Sequence, residues 1–176
     1  IGDQLWMAEN LKVIYYKDGS EIPTGYSDSE WTELETGAYT VYPADYDGAS
    51  QSTCGDDCAD IYGNLYNWYA VNEPRGLSPN GWHIPSDDEW TTLTDYLGGE
   101  DVAGTIVAGT IMKSTSGWNE NGNGTNESGF NGLPGGSRRD DGICNVFGGG
   151  VGGRGAWWSS TQHYFGAANE AELQDD

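Results

Sequence analysis

One stretch of the chain combines apolar residues at helical spacing with clear start and stop signals. Trp90, Leu93 and Leu97 fall on one face, which indicates an amphipathic helix. Ser86 and Glu89 have the spacing of a capping box, so the helix is predicted to span residues 86–97. We expect it to pack on a sheet and to carry no chemistry of its own.

Outside this helix, the hydrophobic pattern changes to short extended runs and long polar loops. Residues 156–161 (Ala-Trp-Trp-Ser-Ser-Thr) are typical of a strand. Residues 114–155 are dominated by Gly, Asn and Ser, which is long for a structureless loop, so we expect them to be functional or self-packed. The Ala- and acid-rich residues 167–176 predict a helix or a frayed tail.

Length and composition predict a single domain, spanning residues 1–176. A chain of 176 residues can bury a substantial core, and its 28 glycines and 8 tryptophans indicate a loop-rich protein with an aromatic core. No apolar run approaches the roughly 18 residues that span a membrane, so we expect no membrane insertion. The net charge of −21 argues against nucleic acid and anionic membranes as partners, because basic patches bind both.

The chain has three cysteines, Cys54, Cys58 and Cys144. An odd count leaves at least one of them without a disulfide partner in this chain. Cys54 and Cys58 flank a short Gly-Asp-Asp loop and are predicted to close a small disulfide ring, which fits an oxidising, extracellular setting. Zinc is not expected, because few further ligands exist.

A loop rich in asparagine carries oxygen side chains at alternate positions. The residues concerned are Asn119, Glu120, Asn121, Asn123 and Glu127. The pattern resembles part of an EF-hand loop, but its twelfth position is a phenylalanine, so the bidentate carboxylate is missing. Two interpretations stay open: a calcium site of another kind, and a turn cluster that uses left-handed conformations.

Aromatic side chains beside amides favour stacking against sugars, and four residues are candidates for ligand binding. They are Trp118, Trp157, Trp158 and Tyr164. Because side chains alternate along a strand, Trp157 and Trp158 point to opposite faces, and at most one faces solvent on a given sheet. Core packing is the alternative role for the tryptophans.

Five ordered blocks together resemble the Fibrobacter succinogenes major paralogous domain. The blocks are Gly2–Leu11, Tyr62–Ala70, Gly81–Trp90, Gly129–Gly136 and Trp157–Ser160. The resemblance covers residues 1 to about 161. It implies a secreted or surface protein of bacteria, in a family whose biochemical role is poorly defined.

Residues 83–90 are also similar to the helix-start motif of formylglycine-generating enzymes. The two resemblances imply a C-type-lectin-like α+β fold, with irregular antiparallel sheets and long Gly/Asn-rich loops. Formylglycine-generating activity is not implied, because it needs a cysteine pair in the C-terminal region, where Cys144 stands alone.

The chain departs from the family pattern after the Trp157-Trp158 strand. Members of the family usually end in a closing strand, whereas here the sequence runs into an acidic tail. The closing strand is therefore predicted to be absent, truncated or replaced. Its loss would leave an unpaired sheet edge, which predicts self-association, head-to-tail into a filament.

These features favour a secreted, non-catalytic module at the cell surface that acts in adhesion, glycan binding or assembly of an extracellular structure. Its expected partners are glycans, cell-surface components or further copies of itself, and calcium is the one cofactor considered. A self-polymerising filament subunit is one alternative. A polysaccharide-acting enzyme is another, although no carboxylate spacing singles out a catalytic pair and His83 has no nucleophile nearby in the sequence.

Overall fold

A computed structural model describes residues 1–42, 58–99, 107–144, 150–162 and 168–174. The helices are α1 (Asp28–Thr32), α2 (Cys58–Tyr62), α3 (Trp68–Val71), α4 (Asp87–Tyr96) and α5 (Val107–Met112). The strands are β1 (Tyr39–Thr40), β2 (Leu65–Tyr66), β3 (Arg154–Gln162) and β4 (Ala168–Gln174). β1 pairs with β2 and β3 pairs with β4, both antiparallel. The C-type-lectin-like architecture stays a prediction.

Helix α4 has the capping box that its sequence predicts. The Ser86 side chain accepts a hydrogen bond from the backbone N–H of Glu89, and the Glu89 carboxylate accepts one from the backbone N–H of Ser86 at 2.8 Å. Leu97 is the C-cap, and Trp90 and Leu93 are buried. The predicted bounds of the helix and its amphipathic face are thus confirmed. None of the helices in the described ranges is both long and apolar enough to cross a membrane.

The buried apolar residues form three clusters. The cysteine cluster consists of Tyr42, Cys58, Tyr62, Cys144 and Val151. The tyrosine cluster consists of Tyr16, Ile22, Tyr66, Ala70 and Leu77. The tryptophan cluster consists of Trp90, Leu93, Ala108, Met112 and Phe130, with Trp6 and Trp157 packed against it. Aromatic side chains contribute to all three, as the composition indicates.

The acidic tail forms the closing strand β4, so the prediction of a helix or frayed tail for this segment is wrong. Trp157 lies opposite Ala171 and Trp158 opposite Glu170 in the β3–β4 register. Ala171 and Leu173 pack against the tryptophan cluster, which gives the tail a buried face. A strand with one apolar face is held by tertiary packing, whatever its local helix propensity.

Charged contacts fix both ends of this strand. Arg154 on β3 makes ion pairs with Glu170 and Glu172 on β4. The Lys113 ammonium group donates a hydrogen bond to the backbone oxygen of Gln174 at 2.7 Å. The expected unpaired edge beside Trp157 and Trp158 is therefore occupied by β4, which removes the argument from which a filament was predicted.

Candidate functional site

A cleft of about 760 Å³ lies where β3, the start of α4 and the N-terminal segment meet. Its aromatic lining includes Trp6, Tyr66, Trp82, Trp90, Trp157 and Trp158. Ligand sites in proteins are typically concave, largely apolar and supplied with a few convergent polar groups. The cleft has this character and is the candidate functional site.

The floor of the cleft is β3, whose two adjacent tryptophans take different partners. The Trp157 indole N–H donates to the Asn10 side-chain oxygen at 2.8 Å, and its ring meets Phe130 edge-on with centroids 5.6 Å apart. The Trp158 indole N–H donates to the backbone oxygen of Tyr66 at 2.7 Å. Both side chains are half-buried, so each indole is fixed by the fold and leaves part of its surface accessible.

The N-terminal segment forms one wall and is tied to the body by amide side chains. The Asn10 amide donates to the backbone oxygen of Tyr62 at 2.9 Å while its oxygen accepts from Trp157. The Gln4 amide donates to the backbone oxygen of Glu89 at 3.1 Å. Gly63 has a φ of +79°, and a Cβ there would lie 2.8 Å from the Asn10 Cβ, so this close approach requires glycine.

The start of α4 lines the cleft next to the N-terminal segment, and there His83 and Glu89 interact. The Glu89 carboxylate accepts hydrogen bonds from the backbone N–H of Ser86 and lies 2.8 Å from the His83 Nε2 atom. These contacts, led by the Ser86 backbone bond, hold the pKa of Glu89 below its ordinary value. Glu89 is therefore a charged helix cap beside the cleft.

One end of the cleft gathers arginines in an otherwise acidic molecule. Arg138, Arg139 and Arg154 line it, from a total of seven Lys and Arg residues in the chain. Their carboxylate partners are Asp28 for Arg138, Asp141 for Arg139, and Glu170 and Glu172 for Arg154. Each arginine is thus charge-compensated within the fold.

Trp82 is a cleft residue that the sequence reasoning did not single out. It is half-buried and lines the cleft just before α4. Within the described residues, Trp82 is the one tryptophan of the eight whose indole has neither a hydrogen bond nor a ring or cation contact. Each of the other seven tryptophans makes at least one such contact through its indole. The Pro-Asn-Gly-Trp sequence, which indicates a turn, is the signal in the sequence from which Trp82 could have been found.

The four aromatic residues predicted to bind a ligand have different outcomes. Trp157 and Trp158 lie in the cleft, whereas Tyr164 lies outside the described residues. Trp118 is only 5% exposed, and its indole N–H donates to the Ser114 hydroxyl at 3.1 Å. The prediction for Trp118 is therefore wrong, because its ring is buried in the core with its polar atom satisfied.

The asparagine-rich loop is a turn cluster on the surface. All five predicted metal ligands are exposed: Asn119, Glu120, Asn121, Asn123 and Glu127. Glu120 and Asn121 have left-handed φ values of 49° and 66°. The Asn123 side-chain oxygen accepts the backbone N–H of Trp118 at 3.0 Å. Among the described residues, no three His, Cys, Asp or Glu side chains come together as a metal-binding group. Calcium binding stays a prediction.

Two of the cysteines share the cysteine cluster in different chemical states. Cys58 is buried and disulfide-bonded. Cys144 is a buried free thiol, and burial raises its pKa to about 11. Cys54, the partner predicted for Cys58, lies outside the described residues.

The fold and the cleft define a small domain of short helices and antiparallel strand pairs with a ligand-sized aromatic site. The model of the Fibrobacter succinogenes major domain matches residues 1–174, and the chain belongs to this family. The match includes β4, so the closing strand is part of the family domain. The resemblance to formylglycine-generating enzymes is not supported by it. No curated protein and no solved structure matches the chain.

Proposed function

We propose that this chain is a secreted, non-catalytic surface module that binds glycans in the cleft above β3. Holding a glycan chain in this way would serve adhesion to a surface or assembly of an extracellular structure. The observation that carries the proposal is that three half-buried tryptophans, Trp82, Trp157 and Trp158, line the same cleft.

The chemistry of the lining suits sugars. The apolar C–H faces of a pyranose ring pack well on indole surfaces, which combine a large apolar area with specific geometry. Amide, carboxylate and guanidinium groups from Asn10, Glu89 and Arg154 lie around these rings and supply directional hydrogen bonds. A glycan has both apolar C–H faces and hydroxyl groups, and this lining offers an aromatic surface for the first and polar groups for the second.

Two further features support an extracellular setting. Cys58 is in a disulfide, and disulfides persist in oxidising compartments. The net charge of −21 keeps such a surface module soluble and argues against nucleic acid as its partner.

Isothermal titration against soluble xyloglucan, glucomannan and amylose oligosaccharides tests the proposal. Trp82→Ala is expected to weaken binding about tenfold, the value of one lost aromatic contact, without changing the free energy of unfolding. Tyr69→Ala is the matched control, because Tyr69 is 45% exposed and does not line the cleft. Equal losses for the two variants would place binding elsewhere.

A turnover assay on the same glycans distinguishes a polysaccharide-acting enzyme from a module that only binds them. A binding module leaves the chain length of each oligosaccharide unchanged after prolonged incubation. Release of new reducing ends, abolished in a variant of a cleft carboxylate such as Glu89→Gln, would establish a polysaccharide-acting enzyme instead.

A further inference from the structure

We propose that the cleft selects neutral, hydroxyl-rich glycans and rejects glycans that carry carboxylates, and that Glu170 sets this selectivity. The inference rests on the proposed glycan-binding function and adds the chemical class of the glycan. It follows from the polar atoms and the charges at the arginine end of the cleft.

Two polar atoms at this end are buried and have no hydrogen-bond partner among the described residues. They are Nε of Arg154 and the hydroxyl oxygen of Ser137, and both residues line the cleft. They lie on adjacent segments, because the backbone N–H of Gly136 donates to the backbone oxygen of Arg154 at 2.8 Å. Neither atom is accessible from the cleft, so the groups that a ligand can reach at this end are the outer part of the Arg154 guanidinium and the Glu170 carboxylate, whose side chains are 17% and 39% exposed.

Glu170 places an acceptor beside the Arg154 guanidinium. It lines the cleft and forms an ion pair with Arg154. The site thus offers guanidinium N–H donors and a carboxylate that only accepts. A sugar hydroxyl matches this set, because it accepts from Arg154 while donating to Glu170. A ligand carboxylate has no proton to donate and meets the charge of Glu170 directly.

The balance of charge also disfavours an anionic ligand. Each arginine of the cleft already has a carboxylate partner, and Arg154 has two, Glu170 and Glu172. The arginine end therefore carries no surplus positive charge, in a molecule of net charge −21. A like charge at contact distance weakens binding about fivefold even at the dielectric constant of water.

The test compares neutral xyloglucan, glucomannan and amylose oligosaccharides with the same oligosaccharides oxidised at C6 to carboxylates. Titration at low ionic strength should show the neutral form binding at least about fivefold more tightly to the unaltered chain. Glu170→Gln should remove most of this difference, because it replaces the contacting charge with an amide of the same shape. Unfolding curves of each variant confirm that it is folded.

Glu172→Gln is the matched control. It removes an equal charge from the same Arg154 pair, but Glu172 does not line the cleft. It should reduce the discrimination less than Glu170→Gln. The salt dependence of binding to the unaltered chain tests the same point without any substitution. Salt at about 1 M shortens the screening length to roughly 3 Å and should therefore reduce the difference in affinity between neutral and oxidised oligosaccharides.

The possible results separate this inference from the function on which it rests. If the oxidised oligosaccharides bind the unaltered chain as tightly as the neutral ones, the selectivity is wrong and glycan binding stands. If Glu170→Gln and Glu172→Gln have equal effects, net charge sets the selectivity and the role of Glu170 is wrong. If neither form binds, the proposed function itself fails.

Discussion

Trp82 and Trp118 follow a glycine in the sequence and have opposite surroundings in the fold. Trp118 is 5% exposed, and its indole N–H donates to the Ser114 hydroxyl and to the backbone oxygen of Gly132. Trp82 is half-buried at the cleft, and its indole has no hydrogen bond within the described residues. The comparison shows that burial separates the two: the fold encloses the ring of Trp118, whereas part of the Trp82 ring stays accessible at the cleft.

The largest expected effect is the cost of removing the buried ring. Trp118→Ala should lower the free energy of unfolding by about 3–5 kcal/mol, because it creates a cavity and leaves the Ser114 hydroxyl without its bond. Trp82→Ala should lower it far less, because within the described residues this half-buried indole has no hydrogen bond or ring contact to lose. Urea denaturation of the two variants measures the contrast. Similar losses in both would show that Trp82 is also structural.

Replacing Lys113, whose charge lies beside Trp118, should have a smaller effect on the free energy of unfolding. The Lys113 ammonium group is 5.1 Å from the centre of the Trp118 ring and donates to the backbone oxygen of Gln174 on the closing strand. Lys113→Met should cost about 1–3 kcal/mol, because it removes a charged hydrogen bond at the end of β4. Lys12→Met at an exposed site is the control. An unchanged urea midpoint for Lys113→Met would mean that β4 does not depend on this contact.

The N-cap of α4, which follows Trp82 in the chain, should contribute less to the free energy of unfolding than Lys113 does. Ser86→Ala should lower the free energy of unfolding by about 1 kcal/mol, because the N–H of Glu89 loses its acceptor. Ser27→Ala removes the equivalent cap from the short, exposed helix α1 and should cost less. A larger loss at Ser27 than at Ser86 would contradict the placement of α4 in the core.

The same cap predicts a pH dependence. The pKa of Glu89 is lowered in the folded chain, first by the Ser86 backbone bond, so its charge stabilises the fold above the ordinary value of 4.5. This contribution is lost as pH falls through the lowered pKa. The difference in melting temperature between the unaltered chain and Glu89→Gln should therefore be larger at about pH 7 than at about pH 3. A difference that is constant with pH would exclude the charge as its cause.

The smallest expected effect concerns calcium and the loop that follows Trp118. The Asn123 oxygen already accepts the Trp118 backbone N–H, and a Cβ at Gly152 would lie 2.6 Å from the Asn119 oxygen, so both amides pack against the fold. The two interpretations of this loop differ in one measurement: a turn cluster gives the same melting curve in EDTA and in excess calcium, whereas a calcium site does not. A rise in melting temperature with calcium, lost in Asn121→Ala, would establish a site.

The helix could be predicted from the sequence because its signals are local. Ser86, Glu89 and the apolar face from Trp90 to Leu97 all lie within one short stretch, and the structure has them as predicted. Alternation along a strand likewise predicts different partners for Trp157 and Trp158, which they have, but it did not predict that both stay half-buried and line one cleft.

The rest of the site depends on contacts between distant residues. Residues 168–174 favour a helix by composition, yet Leu173 and Ala171 find a buried face that only the folded tryptophan cluster provides. Glu170 reaches the cleft because this strand pairs with β3. Trp82 and Trp118 both follow glycine, so the difference between them arises from tertiary burial that no local pattern encodes.

The burial of Cys144 has a consequence for the disulfide of Cys58, which lies in the same core cluster. A free thiol in a chain that also contains a disulfide can attack that bond and scramble the pairing. Only the thiolate attacks, and with a pKa of about 11 the folded protein holds roughly one thiol in ten thousand in that form at neutral pH. Burial thus slows disulfide exchange in the folded protein, and unfolding exposes Cys144 and makes its thiol reactive.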